Sequence, residues 1–422
     1  MNSAPLNVFQ KTQRLWDTLH PYNAAQAAEL TRVFSRDAIE DTFNAALNDL
    51  RLGVFVCEHA RYRIDTTHRP RVAVTEVADF ATHVGTDMNR PFDPALSMPF
   101  RPFVCPLPGG QMIGLTYQHW VADSVSVRTL MRAWVSRLFD LPSLRPEPVV
   151  LDRCGLRRRF GPDTGGWSVI SQIAEFAEFA RMSKLLRRVE ARANDQTVAV
   201  IAKTLPPDLI TGLRKHARVA KVTVGDVFIA ATAEACARHG PSRPTRRRPD
   251  LALGTIVDLR ARHAKVPSRV FGLYLGFMIS AFTHDDLYDF NRLLARSRRL
   301  RVIQNRHKSA EASQLRMAIG LLVSRTLSRQ NLIEFYRRRF PMAGGLSNVN
   351  LTHDWPGRLY PDLIRAYHRV SPTGPLMPIV LTPTTIGNEL TLCCTYRTAL
   401  ANEGRANGVV GAFIDRLERF AG

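Results

Sequence analysis

The run Gln118-His119-Trp120-Val121-Ala122-Asp123-Ser124 puts a histidine at the end of an apolar stretch and an aspartate four residues later. Imidazole titrates near pH ~6.5, so a histidine so placed can take a proton from an alcohol or an amine near neutral pH. An aspartate close by can fix the local turn, often by pairing with an arginine. The spacing alone is common, and the same residues also fit a histidine near a helix start with Asp123 as the cap. Metal chemistry is not expected. The six cysteines, Cys57, Cys105, Cys154, Cys236, Cys393 and Cys394, form no Cys-x-x-Cys pair and no Cys/His cluster. They read as reduced, structural thiols. Adjacent Cys393 and Cys394, in a strand-like run, face opposite ways.

A base at a strand end needs a strand and a helix to hold it. Residues 100–106 and 111–118 read as a hairpin turning through Pro108-Gly109-Gly110. Residues 126–139 form an amphipathic pattern with Val127, Leu130, Met131, Trp134, Val135 and Leu138 on one side. Upstream, 8–19 reads as a helix or turn and His20-Pro21-Tyr22-Asn23 as a break. Residues 24–31 then read as extended or mixed, 35–52 as a helix capped by Ser35 or Asp37, and 54–57, 61–64 and 72–77 as strands. His20 and Tyr22 either line a site or pack in a turn. Downstream come a loop over 141–164 and one long helix over 167–193. A strand at 197–205, helices at 206–218 and 222–238 and a strand at 251–258 follow. Further helices are expected at 285–309 and 313–327, strands at 345–351, 376–384 and 389–396, and a closing helix at 407–420. Strands alternating with helices imply an α/β or α+β two-layer fold. No repeat of 20–50 residues stands out.

At 422 residues the chain is too long for one ordinary core, and two subdomains of roughly 200 residues are expected, divided as 1–193 and 197–422. The net charge is +21, and the excess is nearly all arginine, clustered at 157–159, 246–248, 296–301 and 337–339. Such a field attracts anions. No zinc finger, RRM signature or basic zipper accompanies it, so nucleic acid is not the expected partner. An anionic cofactor, an acidic carrier protein or a membrane surface fits as well or better. The stretch 167–193 has an apolar face (Ile170, Ile173, Phe176, Phe179) and a basic one (Lys184, Arg187, Arg188, Arg192). It reads as a helix packed on the sheet, and the same pattern fits peripheral contact with an anionic membrane. The N-terminus lacks signal-peptide regions, and no window reaches the ~18 apolar residues of a membrane span. A cytoplasmic location is the expectation, with peripheral membrane association as the variant.

The motif run resembles the HHxxxDG signature of the chloramphenicol-acetyltransferase-like (CoA-dependent acyltransferase) superfamily, which includes peptide-synthetase condensation domains, BAHD acyltransferases and wax ester synthases. Other segments agree in order. Thr223-Val224-Gly225-Asp226-Val227 is similar to a "TVNDV" helix start, and Val257-Asp258-Leu259-Arg260-Ala261-Arg262 to a "VDLRxR" strand end. Phe271-Gly272 through Gly276 resembles a Gly-rich turn, Gly345-Leu346-Ser347-Asn348-Val349 an "SNxG" strand, and 384–396 with 412–420 the closing strand and helix. The resemblance implies a pseudo-dimer of two such subdomains with a tunnel between them. It also implies transfer of an acyl group from a thioester, acyl-CoA or a phosphopantetheinyl carrier protein, to an alcohol or amine, with no tightly bound cofactor. His119 would be the general base. Asp123 would be structural and paired with an arginine, for which Arg260 is the candidate. Ser347 and Asn348 would be polar groups at the tunnel, or a strand-end turn.

Three departures stand out. Gln118 replaces the first histidine, Ser124 replaces the glycine after the aspartate, and the Gly-rich turn lacks its asparagine. Ser124 either narrows the donor channel or adds a hydroxyl, and its backbone N–H could still serve an oxyanion. A non-catalytic condensation-like module that binds a carrier protein or partner enzyme is the alternative; such a module has no need of His119.

Overall fold

The computed structural model describes residues 3–67, 69–93, 98–152, 177, 179–189, 195–260, 269–355, 360–375 and 377–422. They form two compact units, and both are discontinuous in sequence. The first comprises Met1–Gly161, Asp258–Tyr274 and Leu351–Val370, and the second comprises the remainder.

The first unit begins with β1 (Ser3–Pro5) and α1 (Val8–Asp17), whose start is closed by a capping box between Asn7 and Gln10. Next come β2 (Asn23–Leu30), α2 (Arg36–Asp49), β3 (Val54–Glu58), β4 (Arg61–Asp65) and β5 (Thr75–Glu76). The unit continues with α3 (Phe80–Asp87), β6 (Phe100–Leu107), β7 (Gly110–Gln118) and α4 (Ser124–Leu138). β6 and β7 make the hairpin, with Phe100 opposite Tyr117 and Leu107 opposite Gly110. Every residue of β7 is buried, so it sits mid-sheet with both faces covered. Gly114 is required there by close approach: a Cβ would lie 2.3 Å from the Phe103 ring. α2 and α4 pack through Trp134, whose ring meets Phe43 edge-on at 4.7 Å and whose indole N–H donates to the Ile39 carbonyl at 3.1 Å.

The chain then enters the second unit with β8 (Val198–Leu205), α5 (Pro207–Val219), α6 (Val224–His239), β9 (Leu251–Asp258) and β10 (Leu275–Phe282). Three helices follow, α7 (Phe290–Arg306), α8 (Ser309–Ser324) and α9 (Arg329–Arg339), then β11 (Gly344–Leu346) and β12 (Val349–Asn350). The chain returns to the first unit as β13 (Ile364–Val370), which pairs antiparallel with β2 and completes a five-stranded sheet in the order β13-β2-β7-β6-β5. It closes in the second unit with β14 (Ile379–Ile386), β15 (Glu389–Arg397) and α10 (Glu403–Ala421). That unit's sheet runs β10-β9-β11-β14-β15-β8, with β12 beside β14. Helices α5, α6, α7 and α10 pack on a core that includes Leu213, Phe228, Leu253, Phe282 and Phe413. α6 is opened by a capping box between Thr223 and Asp226.

Several expectations need correction. A division of the chain at 193–197 misses the two excursions back to the first unit. They are held there by the β13–β2 ladder and by the contacts of Arg260 described below. The stretch 167–193 lies mostly outside the described residues. Its described end is not one continuous helix: helical backbone stops at Met182, residues 183–185 turn, and Leu186 bridges to Asp250. Lys184, Arg187 and Arg188 are therefore not on a helix face. Part of the Gly-rich turn expected at 271–276 belongs to β10. Further, α3, α9 and β13 have no counterpart in the sequence pattern. Among the described residues no helix is long and apolar enough to cross a membrane. No group of three or more His, Cys, Asp or Glu among them could hold a metal ion. The described cysteines are free thiols, and Cys154 lies outside the described residues.

Candidate active site

His119 extends β7 by one residue. Its backbone N–H donates to the Tyr22 carbonyl at 3.0 Å, prolonging the pairing with β2. The neighbouring Gln118 side chain donates to Asp17 Oδ2 at 2.8 Å, while Asp17 Oδ1 accepts from the Tyr22 N–H at 2.7 Å. The strand end is thereby tied to the end of α1. The imidazole stacks on the Tyr22 ring, with centroids 5.8 Å apart and planes 13° apart, and meets the edge of Tyr117 at 5.7 Å.

One contact fixes its tautomer. His119 Nδ1 lies 3.0 Å from the Ala122 carbonyl oxygen. A carbonyl can only accept, so Nδ1 carries the hydrogen and Nε2 presents its lone pair. No described residue takes that nitrogen, and the side chain keeps some exposure. Burial holds the imidazole pKa below 6.5, against the raising influences of the Ala122 carbonyl and Asp123, and the charge of Arg369 acts in the same lowering direction. The ring is therefore a neutral base at neutral pH.

Asp123 turns away from the imidazole. It is fully buried and caps α4 by accepting from the Ser126 N–H at 3.0 Å. Its Oδ2 also accepts from Arg260 Nη1 at 2.5 Å and from the Tyr274 N–H at 2.8 Å. Burial opposes its ionisation, but Arg260 and the two backbone donors outweigh this and hold its pKa below 3.8. Arg260 lies over the Tyr274 ring at 4.4 Å and donates through Nη2 to Ser126 Oγ at 3.0 Å. Gly272, at φ +149°, completes the lock: its carbonyl accepts from the Asp123 N–H and from Ser126 Oγ, both at 3.0 Å. That φ is one L side chains rarely adopt, so the site needs glycine. Asp258 also lies beside Arg260, at 3.6 Å, and burial pushes its pKa above 3.8.

Ser124, the first residue of α4, is also tied down. Its Oγ accepts from Arg128 Nη1 at 2.9 Å and from Arg369 Nε at 2.8 Å. Its carbonyl accepts from Gln26 Nε2 at 3.2 Å, and Gln26 Oε1 in turn accepts from Tyr367 Oη at 2.6 Å. Gln26, Tyr117, Arg128, Tyr367 and Arg369 carry no spacing signal that groups them. They meet because β13, β2 and β7 are adjacent and α4 covers them.

His119, Asp123, Ser124 and Arg260 thus come together in the first unit. Ser347 and Asn348 belong to the second, at the break between β11 and β12. Ser347 is buried there, with its N–H on the Leu381 carbonyl at 2.9 Å, and Asn348 is exposed. His20 does not point to chemistry: its Nε2 lies 2.8 Å from Asn89 Oδ1.

No protein-family model and no curated protein matches the sequence. Solved structures do. The first condensation domain of the CDA synthetase matches with a TM-score of 0.68 over 99% of this chain and 96% of that one, at 13% identity. The epimerization domain from the third module of tyrocidine synthetase B matches at 0.64 over 100% and 96%, at 11% identity. The nonribosomal peptide synthetase FmoA3 matches at 0.67 and 18% identity, and there the chain spans 45% of the longer protein. Near-complete coverage of an isolated condensation domain and an isolated epimerization domain identifies the architecture: the chain has the fold that these two domains share.

Proposed function

We propose that this chain is an acyltransferase that moves an acyl group from a thioester, acyl-CoA or a phosphopantetheinyl carrier protein, to an alcohol or amine, forming an ester or amide. The carrying observation is the state of His119: Nδ1–H held by the Ala122 carbonyl, Nε2 open, and a pKa held down by burial. A neutral imidazole of fixed tautomer at a strand end is suited to accept the acceptor's proton as it attacks the thioester carbonyl. The same Nε2–H then returns the proton to the leaving thiolate. No nucleophilic side chain and no bound cofactor is called for. Asp123 and Arg260 serve as the structural lock that fixes the turn between β7 and α4. Carrier proteins and CoA are anionic, which suits a chain of net charge +21. We assign the chain to the cytoplasm, with a lipid or specialised metabolite as the expected product.

The test is thiol release from a panel of acyl-CoAs and acyl carrier proteins, with mixed alcohols and amines, for wild type and His119→Ala. Acceptor-dependent release that falls by about 10²–10⁴ in the variant, the range for a lost general base, is the expected result. Equal carrier-protein binding by both proteins, with no turnover by either, would leave the non-catalytic module as the reading.

A further inference from the structure

The helix α8 is turned inside out. Four of its large apolar side chains, Leu315, Ile319, Leu322 and Val323, are between 38% and 63% exposed. Its buried positions are small or polar and include Ala310, Ala312, Ser313, Gly320 and Ser324. The exposed four recur at the spacing of a single helix face. A helix packed on a core buries such a stripe; here the stripe faces solvent.

The cause lies in β10, the end strand of the second unit's sheet. No further strand pairs with its outer edge, and α8 satisfies that edge with side chains. The Phe277 N–H donates to Ser313 Oγ at 3.0 Å, and the Phe277 carbonyl accepts from Arg316 Nη2 at 3.0 Å. The Leu275 carbonyl accepts from Gln314 Nε2 at 2.9 Å. Covering an edge in this way pairs backbone groups that would otherwise be left open. It also spends the polar face of α8 on the protein and leaves the aliphatic face outward.

The surroundings of this face are basic. Residues 290–339 hold thirteen Lys and Arg against two Glu, about half of the chain's net charge of +21. The neighbouring α7 packs on α8 and exposes Arg298, Arg299 and Arg306 together with Val302 and Ile303. The turn that joins the two helices is exposed through Lys308, and exposed Arg325 stands at the other end of α8. These charges choose the occupant. A second copy of the chain would set like charge against like. A protein partner is usually anchored by aromatic side chains, and α8 has none. Aliphatic side chains ringed by exposed cations match an anionic bilayer, which takes the former among its acyl chains and the latter at its headgroups.

We infer that the outer face of α8, with the basic end of α7 beside it, docks the protein on an anionic membrane surface. The surface belongs to the second unit and shares no residue with His119, Asp123 or Arg260. The inference therefore does not rest on the proposed acyl transfer. It places membrane contact on α8, not on 167–193.

The experiment is co-sedimentation of the full chain with vesicles of phosphatidylglycerol and phosphatidylcholine in equal parts and, separately, of phosphatidylcholine alone. Wild type should bind the mixed vesicles at least ~10-fold more tightly than the neutral ones, because each basic residue near a charged surface adds to affinity. The double variant Ile319→Ser/Leu322→Ser removes apolar surface and leaves every charge in place. It should unfold at the temperature of wild type and bind the mixed vesicles at least ~10-fold more weakly. Arg246→Gln/Arg247→Gln, on an exposed basic loop away from α8, should bind nearly as wild type does. His119→Ala should also bind as wild type, so a failure of acyl transfer leaves this result readable. Equal vesicle binding by wild type and the serine variant would overturn the inference and assign the attraction to the basic surface at large. So would a wild-type dimer in analytical ultracentrifugation that the serine variant abolishes, or capture of an acyl carrier protein that the variant loses while vesicle binding stays unchanged. The first would assign the face to a second copy and the other to an acidic protein.

Discussion

The Asp123–Arg260 lock gives the sharpest energetic prediction. Asp123→Ala removes an acceptor shared by Arg260, the Tyr274 N–H and the Ser126 N–H. It leaves Arg260, whose side chain is 9% exposed, without its shortest contact. Breaking a buried pair from one side costs about 3–5 kcal/mol, and losing a helix cap about 1 more, so a total of roughly 4–6 kcal/mol is expected. Arg260→Met should cost somewhat less, about 3 kcal/mol, because two backbone donors still face the carboxylate. The double variant Asp123→Ala/Arg260→Met buries no orphan charge, so it should be more stable than the sum of the singles by at least about 2 kcal/mol. Urea unfolding followed by tryptophan fluorescence reads this well, since Trp16, Trp120, Trp134 and Trp355 all belong to the first unit. The pH dependence has a fixed sign. Asp123 has its pKa lowered on folding, so its contribution is complete above 3.8 and is lost as pH falls through the lower native value. Single variants that each cost under about 1 kcal/mol and simply add would refute the lock.

Other outcomes follow from the same contacts. The acid limb of kcat/KM should lie below pH 6.5, because burial holds the His119 pKa down. Stability should also fall as pH drops through 6.5 toward the native value, since the unfolded chain protonates first; His119→Gln should flatten both curves. Thiol labelling of native protein should find Cys57, which is partly exposed, before Cys105, Cys236, Cys393 and Cys394, which are buried. Burial pushes the Cys236 thiol up to about 12, so mass spectrometry should show it modified only after unfolding.

Strands and helices with strong local patterns were legible in the sequence. The hairpin of β6 and β7, the Ser35-capped α2 and the closing α10 follow from periodicity and capping residues that act within a few positions. β13 was not legible. Its sequence, Ile364-Arg365-Ala366-Tyr367-His368-Arg369-Val370, puts a histidine and an arginine in positions that burial normally denies them. It is a strand because β2 offers an alanine-rich partner and because Glu29, Gln26 and Ser124 satisfy its polar groups. None of those partners lies nearby in sequence. The same holds for the site. The histidine, the aspartate and Arg260 could each be picked out in a local run. Arg128 and Arg369 could not, because nothing in their neighbours distinguishes them from the many other arginines of a chain with net charge +21. The β10 strand was obscured by the glycines Gly272 and Gly276. The first holds a left-handed backbone, and the second lies where a Cβ would sit 2.6 Å from the Ala310 carbonyl oxygen, so one reports turning and the other close packing.

The way Asp123 is used explains why a carboxylate so near the imidazole does not act as its partner. A carboxylate on Nδ1 would stabilise the imidazolium and raise the pKa, leaving the resting ring protonated over more of the neutral range. Here Nδ1 is held by a backbone carbonyl, which fixes the tautomer while carrying no net charge. The three intervening residues, Trp120-Val121-Ala122, form the turn that makes this possible. The Val121 N–H donates to the Gln118 carbonyl at 3.2 Å, Ala122 directs its carbonyl at the ring, and Asp123 is left at the head of α4, where the Ser126 N–H and Arg260 claim it. The HxxxD spacing therefore separates two tasks. The histidine stays neutral and open at Nε2, and the aspartate spends its charge on the loop that keeps it so. A variant that loosened the loop without touching the ring, such as Gly272→Ala at φ +149°, should accordingly lower kcat while leaving His119 in place. Unchanged kcat in a stably folded Gly272→Ala protein would show that His119 does not depend on the lock.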